Sequence, residues 1–469
     1  MTAQNKESTK RKHHYFGTDG FRGEANGELT SMHAYKIGRF LGWYYGRENG
    51  GRQPKIVIGK DTRRSSYMIE YSLVAGITAS GADAYMLHVT TTPSVSYVTR
   101  QEEFDCGIMI TASHNPYYDN GIKVINRFGE KLDDQTTRLI EAYLDGDLKT
   151  LGVAETDLPL ARREKIGRIV DHAAGRNRYL GYLISLASHS YKDLKIGLDC
   201  ANGAAWMLAK SVFGALGAQT TVIGTEPDGL NVNAGCGSTH IENLCRLVKE
   251  QHLDLGFAFD GDADRCIAVD EKGRVVDGDA MLFILAKRLK DRGILSGDTV
   301  VATVMSNSGL FSSLAEQGIR CEQTPVGDRF VYECMQEQDY SLGGEQSGHI
   351  ILKKYATTGD GILTAIMLTE EVCDRKMRLS DLRESLTLYP QYLENVKVKD
   401  KGTVLEDAEI RKAVAEVEQE INGKGRVLLR PSGTEPVVRV MIECESEAAC
   451  REFAGRIVKK IVERGHSLG

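Results

Sequence analysis

The sequence predicts an α/β protein with three topologically similar mixed α/β domains and a C-terminal α+β domain. Short apolar segments alternate with segments of helical periodicity, and this pattern restarts near residues 195 and 274. After Tyr389, the predicted elements change to pairs of strands and charged helices. A chain of 469 residues is too long for one core. We predict a disordered tail and four domains: 1–14, 15–169, 170–273, 274–386 and 387–469.

In the first predicted domain, strands and helices alternate as βαβ units, which favours a mainly parallel sheet. Thr30 is a candidate cap for a helix whose apolar positions follow helical spacing. The apolar run at 106–110 has the length of a buried strand and ends at a polar loop. The other segments predicted here are a strand at 55–61, a helix at 65–79 and a strand at 84–88.

The later domains repeat the pattern and then depart from it. Buried strands are predicted at 195–199, 255–259 and 299–305 because each is a short apolar run bounded by turn residues. In the last domain a charged helix is predicted over 406–420. A final helix capped by Ser446 has an apolar face formed by Cys450, Phe453, Ile457 and Ile461.

Composition excludes several classes of function. The net charge of -6 argues against a non-specific nucleic-acid binder, because no basic excess is present to neutralise phosphates. No apolar run reaches the roughly 18 residues of a membrane span, and the polar first fourteen residues lack the apolar core of a signal peptide. The ten cysteines are scattered without a Cys-x-x-Cys pair, which indicates a reducing, cytoplasmic compartment and no zinc site.

Asp260, Asp262 and Asp264 directly follow the predicted strand at 255–259. On an extended segment, carboxylates at i, i+2 and i+4 project to one side and offer hard oxygen ligands to a single cation, for which magnesium is the natural choice. An EF-hand calcium loop would place Glu271 at its twelfth position, but Arg265 stands where that loop requires Gly. A solvated acidic turn is the other alternative.

The loop ITASHNP, which follows the strand at 106–110, offers the hydroxyl of Ser113 and the imidazole of His114. Pro116 stiffens this loop by fixing its own φ. An Asn-Pro loop is also typical of an ordinary turn. If Ser113 carries a phosphoryl group, one of its oxygens would complete a magnesium site, and phosphoryl transfer is the chemistry that such a pairing serves.

Two further loops fit a phosphorylated sugar. The segment RPSGTEP, followed by Arg439, combines guanidinium groups, two hydroxyls and a glycine amide that suit a phosphate monoester. GEQSGH places a carboxylate, an amide and a hydroxyl between glycines, a set that can bond sugar hydroxyls. Taken alone, Pro-Ser-Gly-Thr is also a common turn, and His349 is typical of a structural histidine with its hydrogen bonds satisfied.

Together, TASHNP, DGDADR, GEQSGH and RPSGTEP resemble the α-D-phosphohexomutase superfamily, supported by FGTDGFRG and GIKV. The resemblance covers nearly the whole chain from Tyr15 onward, and it implies four domains around a central cleft. Within the superfamily, Gln346 of GEQSGH, TPVGDRFV, DGLNVNAGCGS and YPQ are most similar to the members that act on glucosamine phosphates. YYDN after TASHNP and Phe21 in FRGE are departures that the resemblance does not explain.

The resemblance implies the roles of individual residues. Ser113 would be the phosphoserine and, with Asp260, Asp262 and Asp264, would hold Mg²⁺. The residues implied in catalysis beside Ser113 are His114, Lys123, Arg22 and Arg265. The sugar hydroxyls would contact Glu345 and Ser347. The non-reacting phosphate would bind Arg430, Ser432, Gly433, Thr434 and Arg439.

The implied reaction is the reversible interconversion of glucosamine 6-phosphate and glucosamine 1-phosphate, which feeds amino-sugar nucleotide synthesis. It passes through glucosamine 1,6-bisphosphate, which must turn round in the cleft, so the fourth domain is expected to move. A homodimer is also implied. A phosphomannomutase or phosphoglucomutase, and a phosphosugar-binding regulator without transfer chemistry, remain as alternatives.

Overall fold

The computed structural model describes residues 14–50, 52–432 and 436–468. The chain forms two compact units, Met1–Val304 with Glu322–Leu382 and Met305–Cys321 with Arg383–Gly469. The predicted disordered tail lies outside the described residues except for His14, which donates its backbone N–H to Glu141.

The first sheet of the first unit has seven strands in the order β1-β2-β6-β5-β3-β4-β7. It is parallel from β5 to β7 and antiparallel from β1 to β5, so the expectation of a mainly parallel sheet is wrong. β6 is antiparallel because a short loop returns the chain directly beside β5. The strands are β1 (Phe16–Gly17), β2 (Gly20–Glu24), β3 (Lys55–Lys60), β4 (Asp83–Val89), β5 (Cys106–Ile110), β6 (Asp119–Asn126) and β7 (Ile169–Asp171).

Four helices accompany this sheet: α1 (Ser31–Glu48), α2 (Arg64–Ala79), α3 (Thr92–Gln101) and α4 (Asp134–Leu144). The Thr30 side chain accepts a hydrogen bond from the His33 amide, which confirms the predicted cap of α1. α1 and α2 approach closely: a Cβ on Gly76 would lie 2.1 Å from the Tyr35 carbonyl oxygen. Buried residues of these elements, including Phe40, Ile58 and Leu73, form the core.

The second sheet has five strands in the order β12-β11-β10-β8-β9, with β8 parallel to β9 and β10. The carboxyl end of β10 leads directly into the aspartate-rich segment, at the sheet edge where α/β proteins usually bind ligands. The elements are α5 (Ala173–Ser185), β8 (Lys195–Asp199), α6 (Ala205–Ala215), β9 (Gln219–Ile223), α7 (Glu242–Glu250), β10 (Leu255–Phe259), β11 (Cys266–Asp270) and β12 (Val275–Val276).

The third sheet has the order β14-β13-β15-β16, and the GEQSGH segment connects its last two strands. Its elements are α8 (Gly278–Asp291), β13 (Thr299–Thr303), α9 (Ser308–Glu316), β14 (Arg320–Thr324), α10 (Asp328–Glu337), β15 (Leu342–Gly344), β16 (Ile350–Leu352), α11 (Gly361–Arg375) and α12 (Leu379–Leu382). Helix α9 belongs to the second unit.

The C-terminal sheet of the second unit is antiparallel, in the order β17-β19-β18. Helix α14 (Ala408–Ile421) confirms the helix predicted over 406–420, and it begins after Asp407 because the Asp407 side chain caps it. The short helix α13 (Lys401–Glu406), which precedes it, was not predicted. Ser446 caps the last helix as predicted. The elements are β17 (Gln391–Lys397), α13 (Lys401–Glu406), α14 (Ala408–Ile421), β18 (Arg426–Pro431), β19 (Val437–Glu443) and α15 (Glu447–Glu463).

Three mixed sheets with helices, followed by an antiparallel sheet with helices, confirm the predicted fold class. In the described part of the chain, no helix combines the length and apolar character needed to cross a membrane.

Candidate active site

Ser113 lies in the loop after β5 and is almost completely buried. Its backbone amide donates to the Thr111 hydroxyl, and its φ of 52° is in the left-handed region. The Ser113 hydroxyl donates to Asp260 Oδ2 at 2.5 Å. The structure therefore brings the predicted nucleophile and the predicted metal-binding segment into direct contact.

The carboxylates of Asp260, Asp262 and Asp264 converge, with one oxygen of each within 4.8 Å of the others. The segment is not extended, as the sequence analysis assumed, but a tight turn in which the Ala263 amide donates to the Asp260 carbonyl. Ala263 adopts a left-handed φ of 55°. The turn, rather than strand alternation, directs the three carboxylates to one point.

These carboxylates fit a metal ion. All three are buried, and Asp262 Oδ1 has no hydrogen-bond partner among the described residues. Burial, together with the Asp264 and Asp262 carboxylates, raises the pKa of Asp260 to about 8. Crowded, buried oxygen ligands of this kind suit a hard divalent cation, so the group could hold one.

Lys123, on β6, provides a cation beside the aspartate turn. Its Nζ lies 2.8 Å from Asp262 Oδ2, 2.8 Å from Asp264 Oδ2 and 3.0 Å from Asp19 Oδ2. Burial alone would lower the pKa of Lys123, but these carboxylates raise it well above its usual range. Lys123 is therefore a fixed positive charge at the site.

Asp19 connects Lys123 with two further cations. It pairs with Arg22 on β2 and, at 2.7 Å, with Lys131. Burial would raise the pKa of Asp19, but Lys123, Lys131 and Arg22 hold it well below its usual range. Asp19, Lys123 and Lys131 also line a cavity, so this network is accessible to a bound molecule.

His114 and Arg265 form a second pair close to Ser113. Arg265 Nη1 lies 3.1 Å from His114 Nδ1, and the Arg265 amide donates to Asp260. Burial, with the Arg265 and Arg22 cations, lowers the pKa of His114 to about 4. At neutral pH His114 is therefore uncharged, and its Nδ1 can accept a hydrogen bond from Arg265.

The loop between β15 and β16 carries Glu345 and Ser347. The Gly327 amide donates to Glu345 Oε1 at 3.1 Å, and burial raises the pKa of Glu345. Ser347 is exposed. His349 of the same loop is buried, with Nδ1 3.7 Å from Asp264 Oδ1, and so it connects this loop with the aspartate turn.

The predicted phosphate-binding residues lie in the second unit. Arg430 on β18 is paired in register with Arg439 on β19, and burial together with Arg439 lowers the pKa of Arg430. Ser432 is buried, and its amide donates to the Val437 carbonyl. Gly433 and Thr434 lie outside the described residues.

Four family models match the chain in succession. They describe the α/β/α domains I, II and III and the C-terminal domain of phosphoglucomutase/phosphomannomutase proteins, and they match residues 13–150, 177–273, 277–389 and 393–460.

Curated relatives match over nearly their full length. A phosphoglucosamine mutase of Lachnospira eligens is 58% identical over 97% of this chain and 99% of its own. A phosphoglucosamine mutase of Bacillus subtilis is 47% identical over 95% of this chain and 98% of its own. The chain belongs to the α-D-phosphohexomutase superfamily.

A solved structure also resembles this phosphohexomutase. A phosphoglucomutase/phosphomannomutase family protein of Burkholderia thailandensis has a TM-score of 0.79 at 25% identity, over 97% of this chain and 98% of that one. The protein therefore has the four-domain α/β architecture of the superfamily.

Sequence reasoning missed four residues that shape this phosphohexomutase site. Asp19 lies in FGTDGFRG, where the sequence predicts no role for it, although it joins three cations. Thr92 donates to Asp262, while Arg63 and Asn233 bond the Ser113 loop. The signal for Asp19 and Asn233 was their position in the motifs FGTDGFRG and DGLNVNAGCGS, and no local pattern indicated Thr92 or Arg63.

Proposed function

We propose that this phosphohexomutase is a phosphoglucosamine mutase that reversibly converts glucosamine 6-phosphate into glucosamine 1-phosphate. The observation that carries the proposal is the contact of 2.5 Å between the Ser113 hydroxyl and Asp260. The names of full-length relatives at 47% to 58% identity support glucosamine as the sugar. The enzyme is an isomerase that works by intramolecular phosphoryl transfer.

Ser113 carries the phosphoryl group between transfers. Its Oγ–P bond breaks as the free sugar hydroxyl forms a new O–P bond, which gives glucosamine 1,6-bisphosphate and a free serine. The bisphosphate turns round, and its other phosphoryl group returns to Ser113 Oγ. Asp260, Asp262, Asp264 and the phosphoserine would hold Mg²⁺, which would supply positive charge to balance the phosphoryl oxygens.

The surrounding residues position the reactants and balance their charge. Lys123, Arg22 and Arg265 stabilise the negative charge that spreads over the transferring group. Burial, with the Arg265 and Arg22 cations, lowers the pKa of His114, so a neutral imidazole lies beside the phosphoserine as a hydrogen-bonding group. Glu345 and Ser347 bind sugar hydroxyls.

The second phosphate of the substrate binds to the C-terminal domain. Paired guanidinium groups suit this task because their forked donors match phosphate oxygens. The residues proposed for this contact are Arg430, Ser432, Gly433, Thr434 and Arg439. This phosphate site and the phosphoserine can serve both isomers because the bisphosphate turns round between the two transfers.

The ten cysteines are all free thiols, which supports a reducing, cytoplasmic setting. Membership of the superfamily supports a homodimer, which sedimentation of the purified protein would test.

A substrate panel tests the proposal. Purified protein with Mg²⁺ is assayed on glucosamine, glucose and mannose 6-phosphates, with Ser113→Ala as the inactive reference. We expect glucosamine 6-phosphate to give the highest kcat/KM. A preference of more than about tenfold for mannose or glucose, a typical discrimination between related substrates, would instead identify a phosphomannomutase or phosphoglucomutase. Absence of turnover on all three would favour a binding protein.

A further inference from the structure

The backbone of Ser113 has a conformation that must be held from outside. A φ of 52° is unfavourable for a residue with a side chain, and it persists only where surrounding contacts fix it. The Ser113 carbonyl oxygen accepts two hydrogen bonds, from Arg63 Nη2 at 2.9 Å and from Asn233 Nδ2 at 2.9 Å. Both donors lie outside the Ser113 loop.

Arg63 bonds several carbonyl groups of this one loop. It is completely buried, and it donates to the carbonyls of Asn115 at 2.8 Å, of Asp119 at 2.9 Å and of Pro116. Its Nε donates to Asp61 Oδ2 at 2.8 Å. These contacts, with the one to Ser113, use all five N–H donors of the guanidinium group. Arg63 therefore has no donor left for a substrate.

Asp61 extends the same network to the amide side of Ser113. Its carboxylate accepts from the Arg63 Nε and, at 2.8 Å, from the Thr111 hydroxyl. The Thr111 oxygen in turn accepts from the Ser113 amide at 2.9 Å. The buried Arg63–Asp61 ion pair therefore fixes both backbone groups of Ser113: Arg63 bonds the carbonyl directly, and Asp61 holds the amide through Thr111.

Asn233 lies between β9 and α7, and so it connects the Ser113 loop with the second sheet, whose strand β10 leads into the aspartate turn. Its Nδ2 also donates to the Asn115 carbonyl at 3.2 Å. The turn itself approaches the same point, because a Cβ on Gly261 would lie 2.5 Å from the Ser113 carbonyl oxygen. The Ser113 carbonyl is therefore the place where the loop and the aspartate turn are fixed against each other.

We propose that Arg63 and Asn233 are positioning residues for phosphoryl transfer. By bonding the carbonyl of Ser113 from two sides, they keep its backbone left-handed and so aim Oγ at the aspartate turn. The inference rests on the proposed role of Ser113, but not on the identity of the sugar. Loss of either donor lets the loop relax, and Oγ then leaves the position required for in-line transfer.

The first test compares Arg63→Lys with Arg39→Lys. Arg39 is also completely buried and donates to backbone carbonyls, those of Leu158 and Pro159, but it does not contact the Ser113 loop. A lysine at either position keeps the charge and loses the forked donors. Melting temperature, kcat, KM for glucosamine 6-phosphate and amide hydrogen exchange of residues 111–120 are measured for both.

We expect Arg63→Lys to lower kcat by about 10- to 100-fold, the size of effect of a small misplacement of a reacting group. KM should change by less than about twofold, because substrate contacts remain. Exchange of the 111–120 amides should become faster. Arg39→Lys should lower the melting temperature while kcat and the exchange of this loop stay unchanged.

Asn233→Ala provides a second test that does not depend on a buried charge. It should lower kcat and accelerate exchange of the same loop, whereas Asn233→Gln, which keeps an amide donor, should recover part of kcat. Equal losses of kcat in Arg63→Lys and Arg39→Lys, or unchanged loop exchange in Arg63→Lys and Asn233→Ala, would overturn the inference. Wild-type turnover is measured in the same assay. If the wild type has no turnover, the proposed function fails; if it turns over normally, the results above overturn only the positioning role.

Discussion

At the scale of single residues, the site is assembled from side chains that are far apart in the sequence. Ser113 and Asp260 are separated by 147 positions, yet they share a hydrogen bond. The motifs predicted which residue types carry the chemistry, because a hydroxyl and clustered carboxylates are recognisable in isolation. They could not predict the roles of Arg63 and Asn233, although Asn233 lies in DGLNVNAGCGS, because a bond to a distant backbone carbonyl leaves no local pattern.

His114 gives a prediction about pH. Burial and the neighbouring arginines lower its pKa in the folded protein to about 4, below the ordinary value of 6.5. Between these values the unfolded chain binds a proton that the folded protein does not, so the free energy of unfolding falls as pH drops from about 6.5 to about 4. The loss attributable to His114 is at most about 3 kcal/mol, at 1.36 kcal/mol per pKa unit.

Urea unfolding of wild type and His114→Asn at pH 7 and pH 4.5 measures this contribution. The variant should lose less stability over that interval than wild type does. Equal losses in the two proteins would show that the pKa of His114 is not lowered by folding.

At the scale of secondary structure, the sequence predicted most directly those elements whose signals are local. The strands at 106–110, 195–199 and 255–259 have the predicted bounds, because each is a short buried apolar run between turn residues. The helix predicted over 406–420 begins at Ala408 because the Asp407 side chain caps it, and a cap of this kind shifts a predicted bound by a residue or two. The turn at 260–264 was wrongly predicted to be extended, because alternate Asp residues occur both in strands and in turns.

Alanine substitutions of a glycine in α2 and of a glycine in α1 should have opposite effects on stability, because only the first glycine lies where the two helices touch. Gly76→Ala would place a Cβ 2.1 Å from the Tyr35 carbonyl oxygen, so we expect a loss of about 1–3 kcal/mol or more from overpacking. Gly46→Ala, also within a helix, meets only Pro54 Cγ at 3.8 Å and should stabilise by about 0.5–1 kcal/mol. Thermal unfolding of both variants measures this, and a destabilisation by Gly46→Ala equal to that of Gly76→Ala would contradict the packing described.

The aspartate turn predicts stabilisation by metal. Because only the folded turn brings the carboxylates together, Mg²⁺ at about 100 times its Kd should stabilise the protein by about 2.7 kcal/mol. The melting temperature should therefore rise on adding Mg²⁺ and fall back on adding a chelator. Asp262→Asn should remove most of this shift, whereas Asp339→Asn, at a side chain that is 90% exposed, should retain it. A full shift in Asp262→Asn would place the metal elsewhere.

At the scale of the whole molecule, chain order does not fully predict which segments fold together. Residues 305–321 lie within the predicted third domain but belong to the same compact unit as the C-terminal segment. Asn307 donates to the Tyr389 carbonyl, and the Ser308 amide donates to Glu443, which is buried. Such contacts depend on tertiary packing, so the domain bounds near 274 and 386 stay predictions.

The central claim is that one serine oxygen gives up a phosphoryl group and later recovers one. The most direct measurement starts from protein labelled with isotopic phosphate on Ser113 and mixed with a stoichiometric amount of unlabelled glucosamine 6-phosphate. The account predicts that label appears in the sugar phosphates during the first turnover while intact mass still shows one phosphoryl group on the protein, and that Ser113→Ala neither takes up label nor turns over. Product formation with all label retained on the protein would contradict it.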